Sequence, residues 1–315
     1  MNRRGRLTCV AGAALALSAG IARRYRGDLT EANRRLDTVD RTEISTEFGV
    51  LEYAERGTGP PVLVSHGIFH GCDGGLLAVR DVIDDRRVIV PSRFGYLGST
   101  LPPDASSATQ ADAFVALLGR LALDRVDVIG ISAGTGAAVQ LAVRHPDRVG
   151  HLVISSGNLP GSPTATAPPG WATLFYNDPA MWTLETIGRR ALHRLMGVPS
   201  GFPQNADQAG VIAEMVHSIF PLKPRRAGAV FDAFVSNPEV NTMALGSIEV
   251  PTLIVHAKDD PLASYDAAAR AAARIPSAVL VTLESGGHLA LGQSDRVRSE
   301  IASFLGTTGR SHPHA

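Results

Sequence analysis

A serine stands between two glycines at Gly130-Ile131-Ser132-Ala133-Gly134. Residues 126–130 before it are rich in β-branched side chains, and residues 134–144 after it read as a helix. Glycine two positions to either side allows a strand-to-helix turn so tight that a side chain there would strike its neighbours. Such a turn lifts a hydroxyl above the sheet edge. The following helix aims its free amides and positive dipole end at the same point. With 32 glycines in 315 residues, a lone G-x-S-x-G can arise by chance. Its place between strand and helix makes Ser132 a candidate nucleophile.

A serine hydroxyl attacks poorly unless a base takes its proton and a third group orients that base. The base is expected late in the chain, on a loop after a strand. His288 sits there, behind Ser285-Gly286-Gly287 and the strand predicted over 279–283. Among its competitors, His145 follows the helix after the serine, His151 opens a strand, His193 and His217 lie within residues 158–246, and His256 ends the preceding strand, none on that loop. The acid is expected at the end of the preceding strand, where Asp259-Asp260-Pro261 offers two carboxylates. Asp260 lies deeper in the turn and is preferred, with Asp259 as the alternative. The segment after the strand over 151–155 reads Gly157-Asn158 and holds no carboxylate. An oxyanion needs two amides. Ala133 supplies one, directly after the serine. Ser65-His66-Gly67-Ile68-Phe69 ends an earlier apolar run and supplies Ile68, with Phe69 next in line. His66 is read as a brace for that loop.

These residues need a scaffold in a definite order. Short apolar runs over 61–65, 87–90, 126–130, 151–155, 252–256 and 279–283 alternate with helical patterns over 76–83, 109–121, 134–144, 265–273 and 294–304. Two strands over 43–48 and 50–56 precede them, joined at Gly49. This alternation predicts an α/β fold, a mostly parallel sheet flanked by helices. It stops at Gly157. Residues 158–246 carry mainly helical segments, among them 181–196 and 209–219, and read as a helical cap inserted into the core. The division is therefore 1–42, an N-terminal hydrophobic segment and linker; 43–157 and 247–306, the core; 158–246, the cap; and 307–315, a polar tail.

The motifs together resemble the α/β-hydrolase family. His66-Gly67, the serine turn, the paired aspartates before Pro261 and Gly286-Gly287-His288 fall in family order over about 43–157 and 250–304. The segment Ser92-Arg93-Phe94-Gly95-Tyr96-Leu97-Gly98-Ser99 is similar to a family loop but has serine for its usual aspartate, and no role is drawn from it. The resemblance implies the α/β-hydrolase fold, the triad Ser132, Asp260 and His288, and a cap over the pocket. Serine as nucleophile speaks against epoxide and haloalkane chemistry, which needs a carboxylate there.

The expected reaction is hydrolysis of a carboxylic ester or lactone through an acyl-enzyme, which requires no metal or organic cofactor. One alternative is a carbon–carbon bond hydrolase acting on a β-diketone-type substrate. The other is a ligand-binding member with an inert serine. The cap region holds both tryptophans and five of the ten phenylalanines, which fits an apolar acyl or aromatic small molecule as well as it fits a small core. Arg225-Arg226 within it could meet a substrate carboxylate but reads first as a solvated pair.

With 30 basic and 30 acidic residues, the chain has no electrostatic footprint for nucleic acid. Cys9 and Cys72 make no metal-binding pattern, and His312 and His314 read as part of a solvated tail. Residues 7–22 are apolar and flanked by Arg3, Arg4, Arg6 and Arg23, Arg24, Arg26. That segment suits membrane association or export as well as a cytoplasmic extension, and Asp28 with Glu31 reads as a capping box opening a linker helix. Nothing in the sequence sets the oligomeric state.

Overall fold

The computed structural model describes residues 3–306, with side chains from residue 16 onward. Its strands are β1 (Thr42–Thr46), β2 (Gly49–Arg56), β3 (Pro61–Ser65), β4 (Arg87–Pro91), β5 (Val126–Ile131), β6 (Val149–Ser155), β7 (Thr252–Ala257) and β8 (Ala278–Leu283). Its α-helices are α1 (Arg3–Asp37), α2 (Cys72–Ala78), α3 (Ser107–Arg120), α4 (Thr135–Arg144), α5 (Asp178–Thr186), α6 (Arg189–Leu195), α7 (Ala206–Ile219), α8 (Arg226–Phe231), α9 (Asn237–Glu239), α10 (Tyr265–Arg274) and α11 (Ser294–Gly306). The eight strands form one sheet in the order β1-β2-β4-β3-β5-β6-β7-β8. The pairs β1–β2 and β2–β4 are antiparallel. All later pairs are parallel, from β3–β4 to β7–β8.

The central strands are mostly apolar because both faces of the sheet are covered. The pleat sends alternate residues to opposite sides. Leu63, Val128, Leu152 and Ile154 enter one core with Phe114 of α3, Leu141 of α4 and Ala268 of α10. Val62, Val64, Ile129, Val153 and Val255 enter the other with Cys72 of α2 and Val297 and Ile301 of α11. A side chain such as fully buried Leu63 contributes roughly 1.5–3 kcal/mol by leaving water. Capping boxes start α3 at Ser106 with Thr109 and α7 at Asn205 with Gln208.

Between β6 and β7 the chain leaves the sheet and returns. Helices α5 to α9 and a π-helical turn over Asp232–Ser236 lie in this excursion. Met181, Leu192, Met215 and Ile219 from it pack with Phe69 and Tyr96 from the core loops, forming a third apolar cluster above the sheet.

Three local expectations change. The helix expected over 76–83 is α2, which starts earlier and ends at Ala78. The helix expected over 181–196 is two helices, α5 and α6. The Gly188 amide reaches back to the Thr183 carbonyl across the break, where a weak helix former follows an exposed isoleucine. Asp28 does not cap a helix. It lies within α1, where its carboxylate accepts a hydrogen bond from Trp182 Nε1 at 2.8 Å.

Helix α1 meets the excursion through its last turns. Ala32 and Leu36 are buried, Tyr25 packs edge-to-face on Trp182 at 5.5 Å, and Arg35 donates to the His217 and Phe220 carbonyls. Among the described residues no helix is long and apolar enough to cross a membrane. The tail 307–315, with His312 and His314, lies outside the described residues.

Candidate active site

Ser132 follows β5 at the turn into α4 with φ +51°, a left-handed conformation that costs a serine energy. The glycines around it are there for space. A Cβ on Gly134 would lie 2.1 Å from the Ser65 carbonyl oxygen, and one on Gly130 would lie 2.7 Å from Ala138 Cβ. β5 is thereby pressed against α4 while the serine projects from the sheet edge.

His288 follows β8 and is held by its loop. Gly286 and Gly287 have φ +126° and +61°. Their amides donate to the Asp259 carboxylate at 3.2 and 2.8 Å. Asp259 therefore shapes the histidine loop, and Asp260 meets the imidazole. His288 Nε2 lies 2.8 Å from Ser132 Oγ, and His288 Nδ1 lies 2.8 Å from Asp260 Oδ2. An acceptor-only carboxylate at Nδ1 puts the proton on that nitrogen and leaves Nε2 to accept from the serine hydroxyl.

The Asp260 side chain is fully buried. Burial alone would raise its pKa. The His288 charge and hydrogen bonds from His256, His288 and the Ala263 amide outweigh that and hold the carboxyl well below the usual range. The Leu262 and Ala263 amides donate to Oδ1 at 2.8 and 3.0 Å. His256 Nε2 sits 3.3 Å from Oδ2 and 2.9 Å from the Ala263 carbonyl.

Ile68 and Ala133 both line the cavity beside Ser132. Of the two candidate amides on the loop after β3, that of Phe69 donates to Tyr96 Oη at 3.3 Å. Two groups brace this loop. His66, fully buried, accepts the Arg93 amide at Nε2 (3.0 Å) and lies 2.8 Å from the Gly67 carbonyl through Nδ1. Burial, with Arg93 beside it, keeps His66 well below its ordinary pKa and neutral. Tyr96 is the second brace. Its hydroxyl donates to Asp232, which also receives a two-pronged ion pair from Arg93, all three side chains being buried. Asp232 belongs to the excursion's π-helical turn.

Two cavities meet at the serine. The larger, about 600 Å³, runs under the excursion past Ala133, Phe175, Tyr176, Met181 and Leu262. Among the described residues its lining holds no Asp, Glu, Lys, Arg or His. The smaller, about 160 Å³, runs from Ser132 and His288 past Leu77 and Leu289 to Arg80 and Glu214, which are ion-paired at 2.9 Å.

Sequence reasoning missed four partners of this site. The Asn158 amide donates to the Ser132 carbonyl at 3.1 Å, and the Gly197 carbonyl accepts from the His288 amide at 3.0 Å. His256 and the Arg93–Tyr96–Asp232 cluster are the others. The loop around Arg93 and Tyr96 stood out in the sequence, but nothing in its spacing pointed to Asp232. The pair Arg225-Arg226 is also corrected. Arg225 is 1% exposed and forms a two-pronged ion pair with Asp73 at 2.8 and 2.6 Å, while Arg226 is exposed and donates to the Tyr176 carbonyl. An arginine can be buried when a carboxylate matches its fork.

A strained serine at a strand-to-helix turn, on a mostly parallel sheet and in line with a histidine and a buried aspartate, defines a class of hydrolase. A family model for the alpha/beta hydrolase fold matches residues 60–295. The chain belongs to the α/β-hydrolase family, and it is a hydrolase of that family. It is 28% identical to the 2-hydroxymuconate semialdehyde hydrolase of Pseudomonas putida, over 82% of this chain and 91% of that protein. It is 26% identical to a 2-hydroxy-6-oxononadienedioate/2-hydroxy-6-oxononatrienedioate hydrolase of Pseudomonas sp., over 82% and 92%. The solved structure of an alpha/beta hydrolase fold protein from Nakamurella multipartita is similar with TM-score 0.71 and 27% identity, over 84% of this chain and 99% of that one.

Proposed function

We propose that the protein hydrolyses an uncharged carboxylic ester or lactone, with Ser132 as nucleophile and the excursion over 158–246 as a cap on the pocket. His288 takes the Ser132 proton as the hydroxyl attacks the carbonyl carbon. Asp260 orients the imidazole and stabilises the imidazolium. The Ile68 and Ala133 amides hold the oxyanion. The carbon–oxygen bond to the leaving group breaks as His288 returns the proton, giving an acyl-enzyme and an alcohol. His288 then activates water, which releases the acid and frees the serine. His288 lines only the smaller cavity. The leaving oxygen, which it must protonate, therefore lies on that side and the acyl part in the larger cavity.

The observation that carries this reading is the larger cavity's lack of charge. The relatives' named substrates, a muconate semialdehyde and dioates, denote carboxylates, and burying a carboxylate without a cationic partner is costly. Arg80 in the smaller cavity is already engaged by Asp81 and Glu214. Carbon–carbon hydrolysis by the same triad is the second reading, favoured by those relatives.

A fluorophosphonate probe read by intact mass, with short- and medium-chain p-nitrophenyl esters and a muconate semialdehyde as substrates, separates the two. Labelling and ester turnover that disappear together in Ser132→Ala, the latter by up to about a millionfold, are the expected result. Turnover of the semialdehyde without ester turnover would establish the second reading. A folded wild type that neither labels nor turns over would overturn both.

A further inference from the structure

The N-terminal part of α1 has no place in the reaction. Leu17 is 67% and Ile21 49% exposed, and a Cβ on Gly20 would meet nothing within 4 Å. Leu17, Gly20 and Ile21 thus face outward, and α1 meets the excursion where Tyr25 and Asp28 reach Trp182. The apolar run over 7–22 has arginines at both ends, Arg3, Arg4 and Arg6 before it and Arg23, Arg24 and Arg26 after it, and no acidic residue occurs before Asp28. At 1.5 Å per residue the run is about 24 Å long.

We infer that this segment seats in a lipid bilayer carrying anionic headgroups, its apolar run among the acyl chains and its arginines at the phosphates. Charge decides against a second copy as the occupant. With arginines at both ends, either orientation of a helix pair would set arginine against arginine, whereas phosphates complement both sets. Long arginine side chains reach the headgroups from a run of this length. Tyr25 and Trp182 lie where the run meets the body, the depth at which amphipathic rings settle.

Docking through α1 also sets which part of the enzyme faces lipid. α1 holds α5 through Trp182, and Met181 and Leu184 of the same helix wall the larger cavity. Trp171, Leu174, Phe175 and Ile187, which flank α5, are exposed apolar residues. Substrate thus enters from the membrane side, and the class it favours is a neutral ester that partitions into lipid. This last step rests on the ester-hydrolase reading.

Flotation of the full chain with vesicles of phosphatidylcholine containing about a third phosphatidylglycerol tests the inference. Wild type should float and Leu17→Glu/Ile21→Glu should stay at the bottom. The double variant should lose roughly tenfold in turnover of a long-chain p-nitrophenyl ester carried in those vesicles, as expected once surface capture is lost. Its rate on a soluble short-chain ester should be unchanged, which also shows that it is folded. Wild type that stays at the bottom, a double variant that floats equally well, or a lipid-independent dimer broken by the same substitutions would each overturn the inference. Floating with equal loss or no loss on both esters would overturn the delivery step. A chain that floats yet hydrolyses no ester would refute the ester-hydrolase reading and leave the docking surface standing.

Discussion

Asp260 serves four neighbours with two oxygens: one takes the Leu262 and Ala263 amides, and the other takes His288 with His256 close by. Asp260→Asn would offer an amide where the imidazole needs an acceptor, and kcat should fall roughly 10³- to 10⁴-fold with little change in KM. The same site has a pH signature. The folded carboxyl titrates below its ordinary value of about 3.9. The stability it contributes is present above that value and lost as pH falls toward the folded pKa. The difference in urea-unfolding free energy between wild type and Asp260→Asn should narrow from about pH 5 to about pH 3. His70 acts over another window. Burial, then the nearby Arg225 charge, lower its pKa to about 4, with Arg93 and His288 adding to the effect and Asp73 opposing it. Between about 6.5 and about 4 the unfolded chain binds a proton that the folded chain refuses, so stability falls by up to ~1.4 kcal/mol per pH unit. His70→Gln should flatten that part of the stability–pH curve.

The elements position these groups through close backbone approaches that leave no room for side chains. Gly197, between α6 and α7, has φ +75°, and a Cβ there would lie 2.2 Å from His288 Cβ. Gly201 has nearly the same backbone, φ +76°, with nothing within 4 Å. The pair separates backbone strain from displacement of the histidine. Gly197→Ala should lose at least about tenfold in kcat with an unchanged circular dichroism spectrum, whereas Gly201→Ala should cost about 1 kcal/mol of stability and keep its activity. The Tyr96 hydroxyl links the loop after β3 to the π-helical turn. Removing it by Tyr96→Phe frees the Phe69 amide while Arg93 still pairs Asp232. An expected drop of about tenfold in kcat at constant KM would mark positioning, since a general loss of fold would show in both parameters and in Tm.

At the scale of the molecule, the excursion is fastened to the core by buried ion pairs as well as by apolar packing. Arg225 reaches Asp73 at the start of α2, and Asp232 reaches Arg93 after β4. Removing one partner of such a pair strands the other charge. Arg225→Met should therefore lower unfolding stability by about 3–5 kcal/mol, and Asp73→Asn added to it should recover part of the loss. Denaturant curves of the two variants measure this directly. Arg225 lies beside His70, and Asp232 is tied through the Tyr96 hydroxyl to the Phe69 amide in the loop after β3. The excursion held this way exposes apolar residues around α5 while Met181, Leu192 and Met215 stay packed with Phe69 and Tyr96.

The sequence by itself determined the order of strands and helices, the serine turn, the late histidine loop and the residues at each end of the hydrogen-bond chain. It could do so because strand and helix periodicities, and glycines demanded by close approach, are local properties. Asp260 over Asp259 was also legible from depth in the turn, and the structure adds what Asp259 does instead, which is to hold the amides of Gly286 and Gly287. Only tertiary structure decided the rest. The break between α5 and α6, the burial of Arg225 and the partnership of Tyr96 with Asp232 depend on which distant surfaces meet, and a carboxylate 136 positions away leaves no mark on local pattern. The neutral lining of the larger cavity, on which the substrate reading rests, is likewise a property of folded walls drawn from several segments of the chain.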